Sequence, residues 1–252
     1  MSKLNNICLF DVDGTLCVNG VIPKSTIDVL KYLRAKGNLV LLCTGRCIGQ
    51  LKEIFNVLDV DGAIINNGAY AYLYNNVFYK SPINKDTLNN IKKEDCDVAY
   101  LSEKEYVIGE HNVDIVKGFC DFFTIDTPRR VDEKYIINMD VYSLGLYSLK
   151  SLDYLIDKYP ELSIVKVNPF GYDVFNKGVS KAGPIKELRK MFPKHKIIGF
   201  GDNYNDVEML STVDIAVVMP TAPKEVKVLA DYITLDLMDD GISYAIKELL
   251  KL

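Results

Sequence analysis

The sequence predicts an α/β fold, a doubly wound parallel sheet into which a separate α+β module is inserted. Two observations predict the sheet: short apolar runs alternate with amphipathic helical segments early in the chain, and this alternation returns after residue 178. A third predicts the insertion, because residues 83–178 mix polar helices with strands and lack the alternation. The predicted domains are therefore a core of residues 1–82 and 179–252 and an insert of residues 83–178.

The first elements follow in order from hydrophobic periodicity. The run NICLF predicts a strand buried on both faces, and STIDVLKYLRAKG predicts a helix that Ser25 can cap and Gly37 can end. The strand LVLLC, the helix IGQLKEIFNVL and the strand AIINN come next. The aromatic alternation in AYAYLYNNVFYKS predicts a β-hairpin that turns at Asn75 and Asn76.

The rest of the chain divides into the insert and the returning pattern. In the insert, KDTLNNIKK, NVDIVKGFCDFF and LKSLDYLIDKY predict helices, and SIVKVN and YDVFN predict strands. His111 is expected at the surface, at the start of a helix. From GVSKAGPIKELRKMF onward, helices alternate with the strands KIIGF, DIAVV and DYITL, and the chain closes with a helix. Both ends of the chain are therefore predicted to build one sheet.

Composition and charge exclude several classes of function. The 252 residues are 48% apolar and 25% charged, which is ordinary for a soluble globular protein. The net charge is −4 and no Lys/Arg run exceeds two residues, which disfavours nucleic-acid binding. No apolar run is long enough for a membrane helix, and the N-terminus reaches Asp11 before a signal-peptide core could develop. Six cysteines without a CxxC pair and only two histidines disfavour zinc and predict reduced thiols in a cytoplasmic protein.

Polar side chains recur at the carboxyl ends of the predicted core strands, where ligands gather in parallel α/β sheets. Each alone is weak evidence, because a turn or a helix cap is its usual explanation, but their common placement favours a shared site. They are Asp11 and Asp13 after the first strand, Thr44, Gly45 and Arg46 after the second, Lys181 at a helix start, and GDNYND, Gly201 to Asp206, after KIIGF.

The chemistry that this set favours is phosphoryl transfer. A carboxylate such as Asp11 can attack phosphorus and form an acyl phosphate, which divides one difficult displacement into two easier ones. Because carboxylate and phosphate are both anionic, the attack requires a cation, and Mg²⁺ held by Asp11 and Asp202 is the natural one. Lys181 adds a fixed positive charge, and Thr44 donates a hydrogen bond to the transferring oxygens.

The second aspartate has a different task. Asp13 is placed to give a proton to the leaving oxygen and later to take one from water. Asp11 and Asp13 can have separate tasks only if the chain leaves strand geometry after Asp11, and Gly14 makes that departure easy.

The motifs DVDGT, TGR, GVSKAGPI and GDNYNDVEML together resemble the four motifs of the haloacid dehalogenase superfamily, and more particularly its Cof-type sugar-phosphatase branch. The resemblance covers residues 1–82 and 179–252 and is weaker over the insert. It implies a Rossmann-like core, a mobile cap domain inserted after the third strand and setting substrate specificity, and Mg²⁺-dependent hydrolysis of phosphate esters.

Roles for individual residues follow from this resemblance. It implies that Asp11 is the nucleophile and a metal ligand and that Asp13 is the general acid/base, with its backbone carbonyl on the metal. Asn203 departs from the pattern, since a small residue such as glycine is common there. The remaining implied positions are Asp202 and Asp206 at the metal, with Asp206 orienting Lys181 or a metal-bound water; Thr44, Gly45, Lys181, Asn205 and the backbone of Val12 at the phosphate; and Arg46 in the substrate cleft. Asn67 and Gly68 close the third strand beside the linker to the insert and are therefore also expected to line this cleft.

The predicted function is Mg²⁺-dependent hydrolysis of a small phosphorylated metabolite, a sugar phosphate foremost, through an aspartyl-phosphate intermediate. The alternatives are a phosphomutase similar to the phosphomannomutases, a phosphatase of a phosphorylated cofactor such as pyridoxal phosphate or FMN, and a non-catalytic sensor of phosphometabolites. The expected partner is a small-molecule phosphate ester, with no nucleic acid and no membrane, and the expected assembly is a monomer or homodimer.

Overall fold

The structure, a computed structural model, describes residues 6–109, 114–123 and 127–250. His111 and the first two residues of the predicted helix at 112–123 lie outside these ranges. The chain divides into two compact units. The first unit holds the residues up to 45, 51–79 and those from 180 onward, and the second unit holds residues 46–50 and 80–179. Arg46 therefore groups with the second unit, although the sequence assigns it to the core.

The strands and helices alternate in the first unit and are mixed in the second. The strands are β1 (Asn6–Phe10), β2 (Leu39–Cys43), β3 (Gly62–Ile65), β4 (Tyr70–Leu73), β5 (Asn76–Lys80), β6 (Asp97–Leu101), β7 (Tyr106–Ile108), β8 (Arg129–Arg130), β9 (Ser143–Tyr147), β10 (Leu162–Asn168), β11 (Gly171–Asn176), β12 (Lys196–Gly201), β13 (Ile215–Val218) and β14 (Tyr232–Ile233). The α-helices are α1 (Lys24–Ala35), α2 (Lys52–Val57), α3 (Lys85–Ile91), α4 (Asp114–Phe123), α5 (Glu133–Asn138), α6 (Tyr154–Lys158), α7 (Ala182–Met191), α8 (Val207–Leu210), α9 (Lys224–Lys227) and α10 (Gly241–Leu250).

The first unit is built on one sheet with the strand order β14-β13-β12-β1-β2-β3-β4-β5. The strands from β14 to β3 pair in parallel, and β4 pairs antiparallel with β3. At the centre, the Phe10 ring of β1 stacks on the Phe200 ring of β12, with centroids 4.5 Å apart. The α/β fold class predicted from the sequence is therefore confirmed, and the predicted hairpin supplies its antiparallel edge.

Local details differ from the sequence prediction at two turns. Ser25 does not cap α1: the helix begins at Lys24 after Pro23, and the Ser25 hydroxyl donates to the Asp240 carboxylate. Pro23, with φ of −59°, stands at the N-cap position, and no side chain accepts a hydrogen bond from the first turn there. The hairpin turns one residue earlier than predicted, because Tyr74 has φ of 54° and β5 already begins at Asn76.

The second unit is built on a sheet with the order β10-β11-β9-β6-β7-β8, mostly antiparallel. Apolar residues of α3, α5 and α6 pack on one face of it, and residues of α4 pack on part of the other face. The sequence did not predict β6 to β9 or α5, and the predicted helix LKSLDYLIDKY is helical only over α6. The two predicted strands SIVKVN and YDVFN are β10 and β11.

Two further expectations concern the whole chain. All six cysteines are buried free thiols, as the sequence predicts. Among the helices of the described ranges, none combines the length and the apolar character that crossing a bilayer requires.

The central strand gives a direct test of the fold. Leu9 is 0% exposed within β1, so we expect Leu9→Ala to lower the free energy of unfolding by about 2–5 kcal/mol through lost burial and a residual cavity. Val228 is 80% exposed, and Val228→Ala should stay within about 0.5 kcal/mol of the parent protein. Urea denaturation measures both, and equal stabilities for the two variants would contradict the central position of β1.

Candidate active site

The chain turns sharply where β1 ends. The Asp11 amide still donates to the Phe200 carbonyl of β12 at 2.9 Å, and its carboxylate is buried. The next residues then fold back, since the amides of Leu16 and Cys17 donate to the Val12 carbonyl at 3.0 and 2.8 Å. Gly14 makes this turn with φ of 85°, which only glycine adopts at low cost. The predicted departure from strand geometry after Asp11 is therefore confirmed.

A buried ammonium group lies between two aspartates. Lys181, 1% exposed, directly precedes α7, and its Nζ is 2.6 Å from Asp11 Oδ1 and 2.6 Å from Asp206 Oδ1. Burial alone would lower the pKa of Lys181, but the two carboxylates outweigh it and raise that pKa above its ordinary value. Lys181 therefore carries a permanent positive charge beside Asp11.

Asp206 is held by its own loop. Its Oδ2 accepts hydrogen bonds from the amides of Asp202 and Asn203 at 2.9 and 3.1 Å, while its Oδ1 accepts from Lys181. The Asn203 side chain accepts from the Tyr204 amide and, with Asp206, closes a capping box on the short 3₁₀ helix Tyr204–Asp206. Asn203, the one departure from the family pattern, thus has a structural role that rigidifies the loop.

Asp202 is oriented by a residue to which the sequence assigned no role. The Thr15 hydroxyl donates to Asp202 Oδ1 at 2.8 Å, across 187 positions of the chain. The same carboxylate packs on Gly14, where an added Cβ would lie 2.3 Å from Asp202 Oδ2. Burial raises the pKa of Asp202 to about 6, and repulsion by Asp206 adds to this increase against the Thr15 hydrogen bond. The sequence signal for Thr15 was its place as the last residue of the DVDGT motif.

Three carboxylates converge at this point. Asp11, Asp202 and Asp206 each offer one oxygen, and these three oxygens lie within 4.8 Å of one another. Burial raises the pKa of Asp11 to about 8, Lys181 opposes that increase, and Asp206 and Asp202 reinforce it. The cluster contains three carboxylates but one ammonium group. A bound cation would therefore compensate the excess negative charge. Hard carboxylate oxygens are the ligands that Mg²⁺ prefers, and the donor set therefore fits that ion.

The three carboxylates are not equivalent as ligands. Asp206 uses both oxygens in the bonds described above, whereas Lys181 bonds one oxygen of Asp11 and Thr15 bonds one oxygen of Asp202. The second oxygens of Asp11 and Asp202 are the ones available to an ion. The exposed carboxylate of Asp13 is not one of the three converging carboxylates. Its negative charge is nevertheless close enough to contribute to the raised pKa of Asp202.

A strained turn links the ends of β2 and β3 to Lys181. The Asn67 amide donates to the Thr44 carbonyl at 3.1 Å, and residues 66–68 all have positive φ, 50°, 52° and 95°. A Cβ on Gly68 would lie 2.1 Å from the Ser180 carbonyl oxygen, so only glycine allows the two loops to touch. The turn therefore positions Thr44 and the peptide that carries Lys181 together.

The remaining predicted site residues, apart from Arg46, lie in the segments that follow β1, β2 and β12. Gly45 packs on the Asn67 amide group, where an added Cβ would be 2.9 Å from Oδ1, and the Val12 side chain is buried while its carbonyl closes the turn. Asn205 is exposed on the 3₁₀ helix. The Arg46 guanidinium donates to the Gln50 carbonyl at 3.1 Å within the second unit.

Comparison with known proteins agrees with this geometry. The model of the haloacid dehalogenase-like hydrolase family matches residues 8–246. YkrA of Bacillus subtilis, named as a candidate phosphatase, is 28% identical over 97% of this chain and 98% of its own. The structure of BT1666, studied among the phosphatases of the haloalkanoate superfamily in Bacteroides thetaiotaomicron, superposes with a TM-score of 0.85 at 26% identity, covering 100% of this chain and 97% of that one.

One further structural relative is more specific. BT4131, described as a sugar phosphatase of subclass IIB of the superfamily, superposes with a TM-score of 0.78 at 30% identity and covers 98% of this chain and 100% of its own. Both the family match and these relatives extend over nearly the whole chain. The protein therefore belongs to the haloacid dehalogenase-like hydrolases and is an enzyme of the phosphatase type within that family.

Proposed function

We propose that this protein hydrolyses small phosphorylated metabolites, sugar phosphates foremost, in a Mg²⁺-dependent reaction through an aspartyl phosphate on Asp11. The observation that carries the proposal is the buried Asp11 carboxylate held between Lys181 and a cluster of two further carboxylates. A sensor of phosphometabolites would not need a carboxylate in this position. The similarity to the sugar phosphatase BT4131 supports sugar phosphates as the substrate class.

The metal in this proposal is held by few residues. Asp11 and Asp202 would bind Mg²⁺ through their second oxygens, together with the backbone carbonyl of Asp13. Asp206, saturated with hydrogen bonds, would act on the site by fixing Lys181 and the Asp202 loop rather than by direct ligation. When bound, Mg²⁺ supplies positive charge that lets an anionic carboxylate approach an anionic ester.

The proposed reaction has two steps. In the first, an oxygen of Asp11 attacks phosphorus, the bond from phosphorus to the ester oxygen breaks, and Asp13 gives its proton to that leaving oxygen. In the second, the Asp13 carboxylate takes a proton from a water molecule whose oxygen attacks phosphorus, and inorganic phosphate leaves as Asp11 is restored. The exposure of Asp13 suits a group that exchanges protons with solvent between steps.

The phosphoryl oxygens need donors while charge builds on them. We assign this role to the Lys181 ammonium, the Thr44 hydroxyl and the backbone amides at Val12 and Gly45, with Asn205 as a further contact. The bonds from Asn67 to Thr44 and from Asp206 to Lys181 support this assignment, because they hold two of the donors in place before substrate binds.

The second unit is proposed as the cap that determines specificity, with Arg46, Asn67 and Gly68 contributing to the substrate cleft. A cap excludes bulk water and contacts the leaving group. The six free cysteines support a cytoplasmic location, and the assembly is proposed to be a monomer or homodimer. The phosphomutase alternative predicts return of the phosphoryl group to sugar and activation by a sugar bisphosphate, whereas the proposed hydrolase releases inorganic phosphate without it.

The nucleophile assignment is tested by Asp11→Asn. The amide cannot form the acyl phosphate, so we expect release of phosphate from p-nitrophenyl phosphate with Mg²⁺ to fall to background while the circular dichroism spectrum is kept. Asp28→Asn, at an exposed aspartate of α1, is the matched control and should retain full turnover. Hydrolysis by the Asp11→Asn protein at the parent rate would show that Asp11 is not the nucleophile.

The metal assignment is tested separately by Asp202→Asn. Asparagine keeps an oxygen for the Thr15 hydroxyl, so the fold should be retained, but the loss of a charged ligand should weaken Mg²⁺ binding about tenfold or more. Isothermal titration of Mg²⁺ without substrate measures this, again with Asp28→Asn as the control. Equal Mg²⁺ affinity in the parent and Asp202→Asn proteins would show that Asp202 is not a ligand.

A further inference from the structure

A short segment of the chain belongs to the second unit although both of its neighbours along the chain belong to the first. Residues 46–50 group with the second unit, whereas Gly45 before them and Leu51 after them group with the first. We call residues 46–50 the anchor segment. Because Thr44 and Gly45 are proposed donors to the phosphoryl oxygens, the peptide bond from Gly45 to Arg46 joins a proposed phosphate donor directly to the second unit.

The anchor segment is attached to a turn of the second unit. The Ile48 amide donates to the Glu103 carbonyl at 2.9 Å. Gly49 lies against the next peptide of that turn, since an added Cβ there would be 2.5 Å from the Lys104 carbonyl oxygen. Only a residue without a Cβ allows such a close approach of two backbones, so the attachment depends on the glycine.

Hydrogen bonds within the anchor segment hold it in one shape. The Gln50 side-chain oxygen accepts from the Cys47 amide at 3.0 Å, and the Gln50 amide donates to the Cys47 carbonyl at 3.1 Å. The Arg46 guanidinium closes the segment by donating to the Gln50 carbonyl at 3.1 Å. The anchor segment is therefore a compact turn, and its attachment at Ile48 and Gly49 also restrains Arg46.

The turn that receives the anchor segment, residues 102–105, is itself well held. The Glu105 amide donates to the Ser102 hydroxyl at 3.0 Å, and the Ser102 amide donates to the Glu105 carbonyl at 2.9 Å. The Glu105 carboxylate accepts from the Arg129 guanidinium at 2.8 Å and from the Tyr135 hydroxyl. These bonds join the turn to β8 and α5, so the anchor segment is attached to a fixed part of the second unit.

The chain before the anchor segment is held by the first unit. The Thr44 amide donates to the Ile64 carbonyl of β3 at 2.9 Å. Thr44 and Gly45 therefore lie between two attachments, one to β3 and one to residues 102–105. Two residues separate Gly45 from Ile48, so loss of the second attachment leaves the Gly45 peptide restrained on one side only.

We propose that the anchor segment positions Thr44 and Gly45 for the phosphoryl group, and that Gly49 is the positioning residue on which this attachment depends. This inference rests on the proposed phosphatase function, which assigns Thr44 and Gly45 to the phosphoryl oxygens. Preorganised donors lose most of their effect when they are displaced by about 1 Å. Because the phosphoryl group is common to all substrates, loss of the anchor should weaken every phosphate ester alike.

The test is Gly49→Ala. Gly49 is not one of the glycines with positive φ, so alanine does not strain its own backbone, but the added methyl group clashes with the Lys104 carbonyl. We expect kcat/KM to fall about tenfold for glucose 6-phosphate and by a similar factor for p-nitrophenyl phosphate, with their ratio unchanged. The affinity for inorganic phosphate, measured by isothermal titration without turnover, should fall about tenfold as well.

The matched control is Gly118→Ala in α4 of the same unit, where an added Cβ meets no neighbouring atom of the described ranges within 4 Å. It should keep kcat/KM and phosphate affinity within twofold of the parent protein. Gln50→Ala is a milder variant, since it removes the bond to the Cys47 amide without a clash, and it should lower both quantities in the same direction. If Gly49→Ala lowers Tm alone, with both quantities within twofold of the parent well below the transition, the anchor segment is only structural and the inference is overturned.

Hydrogen exchange of single amides, followed by NMR, separates this inference from the proposed function. In Gly49→Ala the amides of Ile48, Thr44 and Asn67 should exchange about tenfold faster, because the Asn67 amide donates to the Thr44 carbonyl, while the Asp11 amide in the centre of the sheet serves as the unchanged reference. If the parent protein neither binds phosphate nor hydrolyses the esters but these three amides respond, the proposed function fails and the positioning of Thr44 by the anchor segment stands. If the parent hydrolyses the esters and Thr44 and Asn67 do not respond, the inference fails and the function stands.

Discussion

The structure of the site depends on one buried ammonium group. Transfer of Lys181 from water into the protein is strongly unfavourable unless its charge is compensated, and Asp11 and Asp206 provide that compensation at 2.6 Å each. The two carboxylates come from the segments that follow the neighbouring parallel strands β1 and β12, and the lysine comes from the start of α7. The ion cluster therefore closes only when these three elements have assembled, which couples the site to the core of the first unit.

The parallel sheet explains why these groups can meet. Parallel strands present their carboxyl ends at one edge, and the loops that follow β1, β2, β3 and β12 all leave from that edge. Short-range devices then set the positions: a turn onto the Val12 carbonyl, a capping box at Asn203 and the left-handed turn at residues 66–68. Each uses backbone hydrogen bonds, which hold the site residues in the positions described above.

The two units differ in whether their buried or half-buried carboxylates have a basic partner. In the first unit, Lys181, Asp11 and Asp206 compensate one another, and Asp206 is fully hydrogen-bonded. In the second unit, the charge of Asp173 has no basic partner among the described residues and stands beside a tyrosine pair. The two units therefore differ in how a buried or half-buried carboxylate is compensated.

The sequence by itself determined the α/β class, the core strands and the grouping of Asp11, Lys181 and Asp202 in one cluster. Apolar runs and short motifs at strand ends are local signals, and they were sufficient for these predictions. It did not reveal β6 to β9, since strands of a half-covered antiparallel sheet lack long apolar runs, and β9 is interrupted by Gly145. Only the tertiary structure decided that Thr15 orients Asp202. The physical reason is that such contacts join residues up to 187 positions apart, and no local pattern specifies them.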